Sequence, residues 1–200
     1  MAYERKDVHY RRAKVAGYRA RSAYKLIELD DRYRLLHPGD RVVDLGAWPG
    51  AWLQVAAARV TPRGRVIGID LIEVAPLGLP HVVCLVGDVR DPAAIEAIAD
   101  RLGDRASVLL SDLAPKLTGT RATDEAQATE LGGAALDAAG RLLGPGGRLV
   151  MKLFMNADFP VLIGRLRGDF EQVKTTKPVA TRRGSSEVYA VATGYRERCG

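Results

Sequence analysis

One stretch limits the possible folds more than any other: the apolar run Arg41-Val-Val-Asp-Leu45 passes through a tight turn, with glycine at 46 and 50, into an apolar segment over 51–60. A strand that turns through glycines straight into a helix is the opening unit of a helix-covered sheet. Such a turn lets a ligand approach the backbone where no side chain intervenes, beside the free N–H groups of a helix start. This is a nucleotide-type pocket. The dinucleotide fingerprint G-x-G-x-x-G is not met, because the glycines stand four apart with Trp48 and Pro49 between them. A pyrophosphate is therefore not the favoured guest.

From residue 40 onward strands and helices alternate. The patterning predicts strands near 41–45, 65–70, 82–86, 107–112, 147–153, 170–174 and 187–193, and helices near 51–60, 92–102, 124–143 and 158–168. A further helix is expected over 18–35, stopped by His37-Pro-Gly39. The implied class is α/β: a mostly parallel seven-stranded sheet with helices on both faces. The connection between the last two strands is too short for a parallel crossover, so the last strand is expected to be antiparallel. Residues 114–124 form the one long polar loop and are the expected mobile lid.

Two acids sharpen the ligand. The second strand runs into Asp70 and the third, His81-Val-Val-Cys-Leu-Val-Gly-Asp88, into Asp88, which places both over the crevice where open α/β sheets bind ligands. An acid after the second strand suits two ribose hydroxyls, and one after the third suits an adenine amino group. Asp70 alone would mean little, since strands often end in Asp for turn chemistry. With the glycine turn, the set describes S-adenosylmethionine better than NAD.

Length and charge bound the rest. Two hundred residues with 47% hydrophobic content can bury one sizeable core, so a single domain over 1–200 is expected. No apolar run reaches bilayer length and the N-terminus lacks a secretory apolar core, which predicts a cytoplasmic protein without membrane association. Cys84 reads as a small hydrophobe within a strand, Cys199 lies beside the terminus, and His9, His37 and His81 are scattered, so no disulfide or metal site is expected. Residues 1–25 carry Arg5, Lys6, Arg11, Arg12, Lys14, Arg19, Arg21 and Lys25 against Glu4 and Asp7, which accounts for the whole net charge of +6. Tyr3, Tyr10, Tyr18 and Tyr24 interleave with these cations. Residues 1–35 thus read as a basic arm and helix suited to RNA, the cations tracking phosphates and the rings stacking on unpaired bases. A solvated amphipathic helix is the plainer reading of the same residues.

Three more charged residues fall at the same sheet edge: Asp112 closing the fourth strand in Ser-Asp-Leu-Ala-Pro115, Lys152 closing the fifth, and Glu187 opening the last. The apolar run before Lys152 sets it against the core, where a lysine must be paired or functional. Here the chain closely resembles the FtsJ/RrmJ family of ribose 2′-O-methyltransferases. The resemblance covers nearly the whole sequence, from the basic arm to Val188-Tyr-Ala-Val-Ala-Thr-Gly194. It implies a Rossmann-like methyltransferase sheet and a catalytic tetrad of Lys25 (in Arg21-Ser-Ala-Tyr-Lys25), Asp112, Lys152 and Glu187 (in Ser186-Glu-Val-Tyr189). It also implies cofactor contacts at Gly50, Trp52, Asp70, Asp88 and Asp112. Trp48 and Ala51 depart from the usual Gly-Ala-Ala-Pro-Gly-Gly-Trp pattern, and Lys116 stands where Asn is common.

The resemblance implies methyl transfer from S-adenosylmethionine to the 2′-hydroxyl of a uridine in large-subunit (23S) ribosomal RNA, in the assembled subunit and without a metal; a monomer is expected. Lys152 is the expected base if its amine is neutral. If Asp112 and Glu187 hold it charged, it orients the hydroxyl and stabilises the developing oxyanion instead. Two other readings are a transferase for riboses of the tRNA anticodon loop and a catalytically silent RNA-binding module. The intact tetrad argues against the silent module. A small-molecule O-methyltransferase would have little need of a basic arm.

Overall fold

Val42, Val43 and Leu45 of the first strand, β1 (Arg41–Leu45), are inaccessible to solvent, as a strand covered on both faces requires. The computed structural model describes residues 8–61, 63–181 and 184–197, with side chains from residue 12 onward. Two helices, α1 (Val8–Val15) and α2 (Ala23–Tyr33), precede β1. There follow α3 (Ala51–Val60), β2 (Arg65–Asp70), β3 (Val82–Val86), α4 (Pro92–Leu102), β4 (Ala106–Ser111), α5 (Arg121–Leu142), β5 (Leu143–Phe154), α6 (Phe159–Asp169), β6 (Phe170–Thr176) and β7 (Glu187–Tyr195).

The seven strands form one sheet in the order β3-β2-β1-β4-β5-β7-β6. All pairings from β3 through β5 are parallel, and β7 runs antiparallel to both its neighbours. The expected α/β class, strand count and antiparallel last strand are therefore found. Strand alternation divides the core in two. Val42, Val66, Val108, Leu110, Val150, Tyr189 and Val191 pack under α2 and α3, while Val43, Ile67, Leu109, Leu149, Met151 and Ala192 pack under α4, α5 and α6. On α2, Leu26 and Leu29 are fully buried, each contributing about 1.5–3 kcal/mol, and they draw Lys25 down with them.

Three boundaries differ most from the sequence expectation, each with a local cause. The helix expected over 18–35 is confined to Ala23–Tyr33. It ends before His37-Pro-Gly39 because Arg34 turns left-handed (φ 52°) and the buried Asp30 carboxylate accepts from the N–H groups of Leu35 (2.9 Å) and Leu36 (2.8 Å). The helix expected from 124 begins at Arg121, so the polar loop after β4 stops at 120. There Asp124 Oδ1 accepts from the Thr118 N–H and hydroxyl, both at 2.7 Å. The Gly144-Pro-Gly146 run, which lies between the expected helix over 124–143 and strand over 147–153, belongs to β5, where a bulge opposite Ala106–Val108 takes up the extra chain. Finally, Asp112 lies one residue past β4, Asp88 two past β3, and Lys152 two short of the end of β5. Of the basic arm, Tyr3, Glu4, Arg5, Lys6 and Asp7 lie outside the described residues, as does Cys199.

Candidate active site

Strand order reverses between β1 and β4, and in open sheets the crevice at such a reversal, beyond the strand carboxyl ends, is where ligands bind. The turn after β1 meets the start of the loop after β4 at this point. The Asp112 N–H donates to Leu45 O (3.2 Å), and a Cβ on Gly46 would stand 3.0–3.3 Å from Leu113. Gly46 (φ 80°) and Gly50 (φ 104°) both adopt the left-handed conformation that side chains resist. Gly50 caps α3, leaving the first N–H groups of that helix without intrahelical acceptors at the crevice.

Asp70 closes β2 with its carboxylate fixed by two backbone donors, Trp48 N–H to Oδ2 (2.9 Å) and Ile72 N–H to Oδ1 (3.0 Å). Each oxygen keeps a free lone pair for a ligand. Asp88 is engaged more fully: the Arg90 guanidinium grips both its oxygens at 2.6–3.1 Å and the Arg90 N–H adds a 2.9 Å bond. Those bonds hold its carboxyl below the usual range. Trp52 is buried, packs against the Tyr189 ring (centroids 6.0 Å apart) and donates its indole N–H to Ser22 O (2.9 Å). Its side chain is committed to these contacts, and in the first turn of α3 its backbone N–H has no intrahelical acceptor. Trp48, by contrast, is about half exposed on the turn.

The four tetrad residues come together in two linked pairs. Lys25 on α2 bonds Glu187 at the start of β7, both nearly buried. Lys152 Nζ lies 2.6 Å from Asp112 O and 3.1 Å from Asp112 Oδ1. Tyr189 joins the pairs: its hydroxyl donates to Asp112 Oδ1 (2.7 Å) and accepts from Lys25 Nζ (3.2 Å). The β5–β7 register explains the convergence, because Lys152 stands opposite Tyr189 and Phe154 opposite Glu187, all on the face covered by α2 and α3. The tyrosine is fully buried, and burial, with the charges of Asp112 and Glu187, pushes its pKa well above 10. It stays a neutral donor.

Neither Tyr189 nor Asp44 has a role in the sequence reading. Period two on β7 links Tyr189 to Glu187, and that signal was available. Asp44 belongs to the β1 run, and its parity with Val42 turns it toward the α3 layer. It is completely buried, and neither carboxylate oxygen has a hydrogen-bond partner among the described residues. Burial first, then the charges of Asp112 and Asp70, push its pKa well above the usual carboxylate range. A buried acceptor without a donor, beneath a glycine cradle, fits a pocket for a ligand that carries a donor or a cation.

This fold and this site define a Rossmann-like methyltransferase. The chain belongs to the FtsJ-like methyltransferase family, whose model matches residues 18–195. Among its relatives, a protein of Syntrophobacter fumaroxidans named ribosomal RNA large subunit methyltransferase E is 44% identical over 98% of this chain and all of its own length. A protein of the same name from Methanoculleus marisnigri is 45% identical over 97% of this chain and 94% of its own. Among solved structures, a ribosomal RNA methyltransferase of Plasmodium falciparum superposes with a TM-score of 0.81 at 28% identity, covering 90% of this chain and all of that one. Fibrillarin of Aeropyrum pernix, solved with natively bound S-adenosyl-L-methionine, shares the fold at a TM-score of 0.62 and 20% identity, covering 86% of this chain and 76% of that one.

Proposed function

We propose that this chain is an S-adenosylmethionine-dependent methyltransferase that modifies the 2′-hydroxyl of a uridine ribose in large-subunit ribosomal RNA. The observation that carries this reading is the linked array Glu187–Lys25–Tyr189–Asp112–Lys152 beside the glycine turn. It presents an amine of fixed position where an acceptor hydroxyl would meet the cofactor. Relatives that match nearly end to end and are named for the large-subunit RNA support the substrate class.

S-adenosylmethionine supplies a methyl group already activated by a sulfonium, so the protein has to align the acceptor and manage one proton. Gly50 and the Trp52 N–H would receive the carboxylate end of the cofactor at the start of α3, and Asp44 would take the ammonium. Asp70 would accept the ribose hydroxyls and Asp88 the adenine amino group, the latter sharing its oxygens with Arg90. Lys152 holds one carboxylate and one carbonyl, partners that suit an ammonium, and two of its three protons are committed to them. The third is free for the acceptor oxygen. Lys152 therefore orients the 2′-hydroxyl and stabilises the negative charge that develops on it as its proton passes to solvent water. Lys25, tied to Glu187 and Tyr189, keeps Asp112 in place through the tyrosine.

The described part of the arm fits an RNA surface. Arg12 and Lys14 are exposed, although Arg12 lies over the Tyr24 ring (4.9 Å) and Tyr24 packs edge-on against Tyr18 (5.8 Å). These two rings already have partners, so in the described part of the arm the contact with RNA falls to the cations and the phosphates. The side chains of Tyr10 and Arg11 lie outside the described residues. The test is transfer of labelled methyl to purified large ribosomal subunits, free ribosomal RNA and tRNA in parallel. Label on the subunit is the expected result, and label on tRNA alone would overturn the substrate assignment.

A further inference from the structure

We infer that Arg19 is a positioning residue for the cofactor, holding together the two segments that wall its pocket; the inference rests on the reading of that pocket as an S-adenosylmethionine site. Arg19 lies between α1 and α2, in neither helix and apart from the tetrad. Its guanidinium donates to three backbone carbonyls. Nη1 bonds Pro49 O (3.2 Å) in the glycine turn and Ala75 O (2.5 Å) in the segment after β2, and Nη2 bonds Pro76 O (2.9 Å) in that same segment. The side chain is seated against the turn itself, since a Cβ on Gly50 would stand 2.7 Å from Arg19 Nη1 and 3.2 Å from its Cδ.

The anchor is held at its other end as well. The Arg19 N–H donates to Gln54 Oε1 (2.8 Å), and Gln54 Nε2 donates to Gly17 O (2.9 Å), so one amide on α3 fixes both sides of the residue. The turn and the segment after β2 are thus tied together twice. Asp70 ties Trp48 to Ile72 from the sheet edge, and Arg19 ties Pro49 to Ala75 and Pro76 from the outside. Without Arg19 the outer tie is lost, and both segments must be ordered by the cofactor when it binds. That ordering is taken from binding free energy. A planar fork reaches three carbonyls at once, which a lysine ammonium does not, so Arg19→Lys should rescue only part of the loss.

The test is calorimetric titration of S-adenosylmethionine into the parent protein, Arg19→Ala and Arg19→Lys, with thermal unfolding in the absence of cofactor. Steady-state KM and kcat on large ribosomal subunits complete it. For Arg19→Ala, Kd and KM for S-adenosylmethionine should rise about tenfold or more, while kcat at saturating cofactor stays within about threefold. Arg19→Lys should fall between this and the parent, and it carries the test alone if the alanine variant does not fold. A folded variant that binds S-adenosylmethionine within about twofold of the parent, or one that loses kcat with KM unchanged, would overturn the inference. A parent that fails to bind S-adenosylmethionine would overturn the functional reading and the inference with it.

Discussion

Replacing Lys152 with Met keeps an unbranched apolar stem of similar length and removes the ammonium, whose Nζ lies 5.9 Å from the centroid of the Phe154 ring. Two contacts disappear, to Asp112 O and to Asp112 Oδ1. Breaking a fully buried pair by deleting one partner costs about 3–5 kcal/mol. Here the Lys152 side chain is 7% exposed but that of Asp112 is 20% exposed, and Asp112 keeps the Tyr189 hydroxyl at 2.7 Å. Water can reach part of the stranded carboxylate, so the expected loss of stability is about 1–3 kcal/mol. Methyl transfer should fall by about two to four powers of ten, the range for removing a group that acts on the proton or on the developing charge. Adding Asp112→Asn removes the stranded charge. The double variant should therefore be about 1–2 kcal/mol more stable than the sum of the single losses predicts, with no recovery of transfer. Urea unfolding and single-turnover transfer measure the two effects separately. A rate within tenfold of the parent for Lys152→Met, or stability losses that simply add, would refute the reasoning.

Three further outcomes follow from the geometry. Asp70→Ala should weaken S-adenosylmethionine binding by about 1.5–3 kcal/mol, because charge-assisted bonds are lost and Trp48 and Ile72 lose their common acceptor; an unchanged Kd in calorimetry would remove Asp70 from the site. Asp44 has its folded pKa raised above 3.8, so its contribution to stability is complete below that pH and is lost as pH rises through the folded value. Asp44→Asn removes this loss, so in urea titrations of cofactor-free protein the stability of the variant relative to the parent should climb as pH rises from about 4 toward the folded value, and a constant difference would contradict it. Replacing Arg5, Lys6, Arg11, Arg12 and Lys14 with Gln should flatten the salt dependence of RNA affinity by about 0.7–0.9 in log–log slope per lost phosphate contact, whereas parallel slopes would remove the arm from the RNA surface.

The sheet was legible because its signal is dense. Central strands such as Val42–Val43 and Leu109–Leu110 are apolar on both faces, and the Gly46–Gly50 turn breaks the pattern at the strand-order reversal. Helix ends were less legible, since they depend on distant partners. Nothing local to Arg34 shows that Asp30 will gather the next two N–H groups, and nothing in Gly144-Pro-Gly146 shows that a bulge will carry it into β5. In the site, the four residues that come together could be named from their motifs, but the pairing could not. Glu187 meets Lys25 across 162 residues, and Asp112 meets Lys152 across 40, so each lysine has its own carboxylate. Asp44 and Arg19 escaped notice for opposite reasons. One looks like an ordinary polar residue near the end of a strand, and the other like one more cation in a basic arm.

The central claim is that the methyl group goes to a ribose oxygen aligned by Lys152. It is tested most directly by treating large ribosomal subunits that lack the modification with the protein and labelled S-adenosylmethionine, then hydrolysing the RNA in alkali. A 2′-O-methyl group blocks cleavage of the neighbouring phosphodiester, so the label should appear in an alkali-resistant dinucleotide with uridine at its 5′ side. Label released in mononucleotides, as a methylated base would give, would contradict the account.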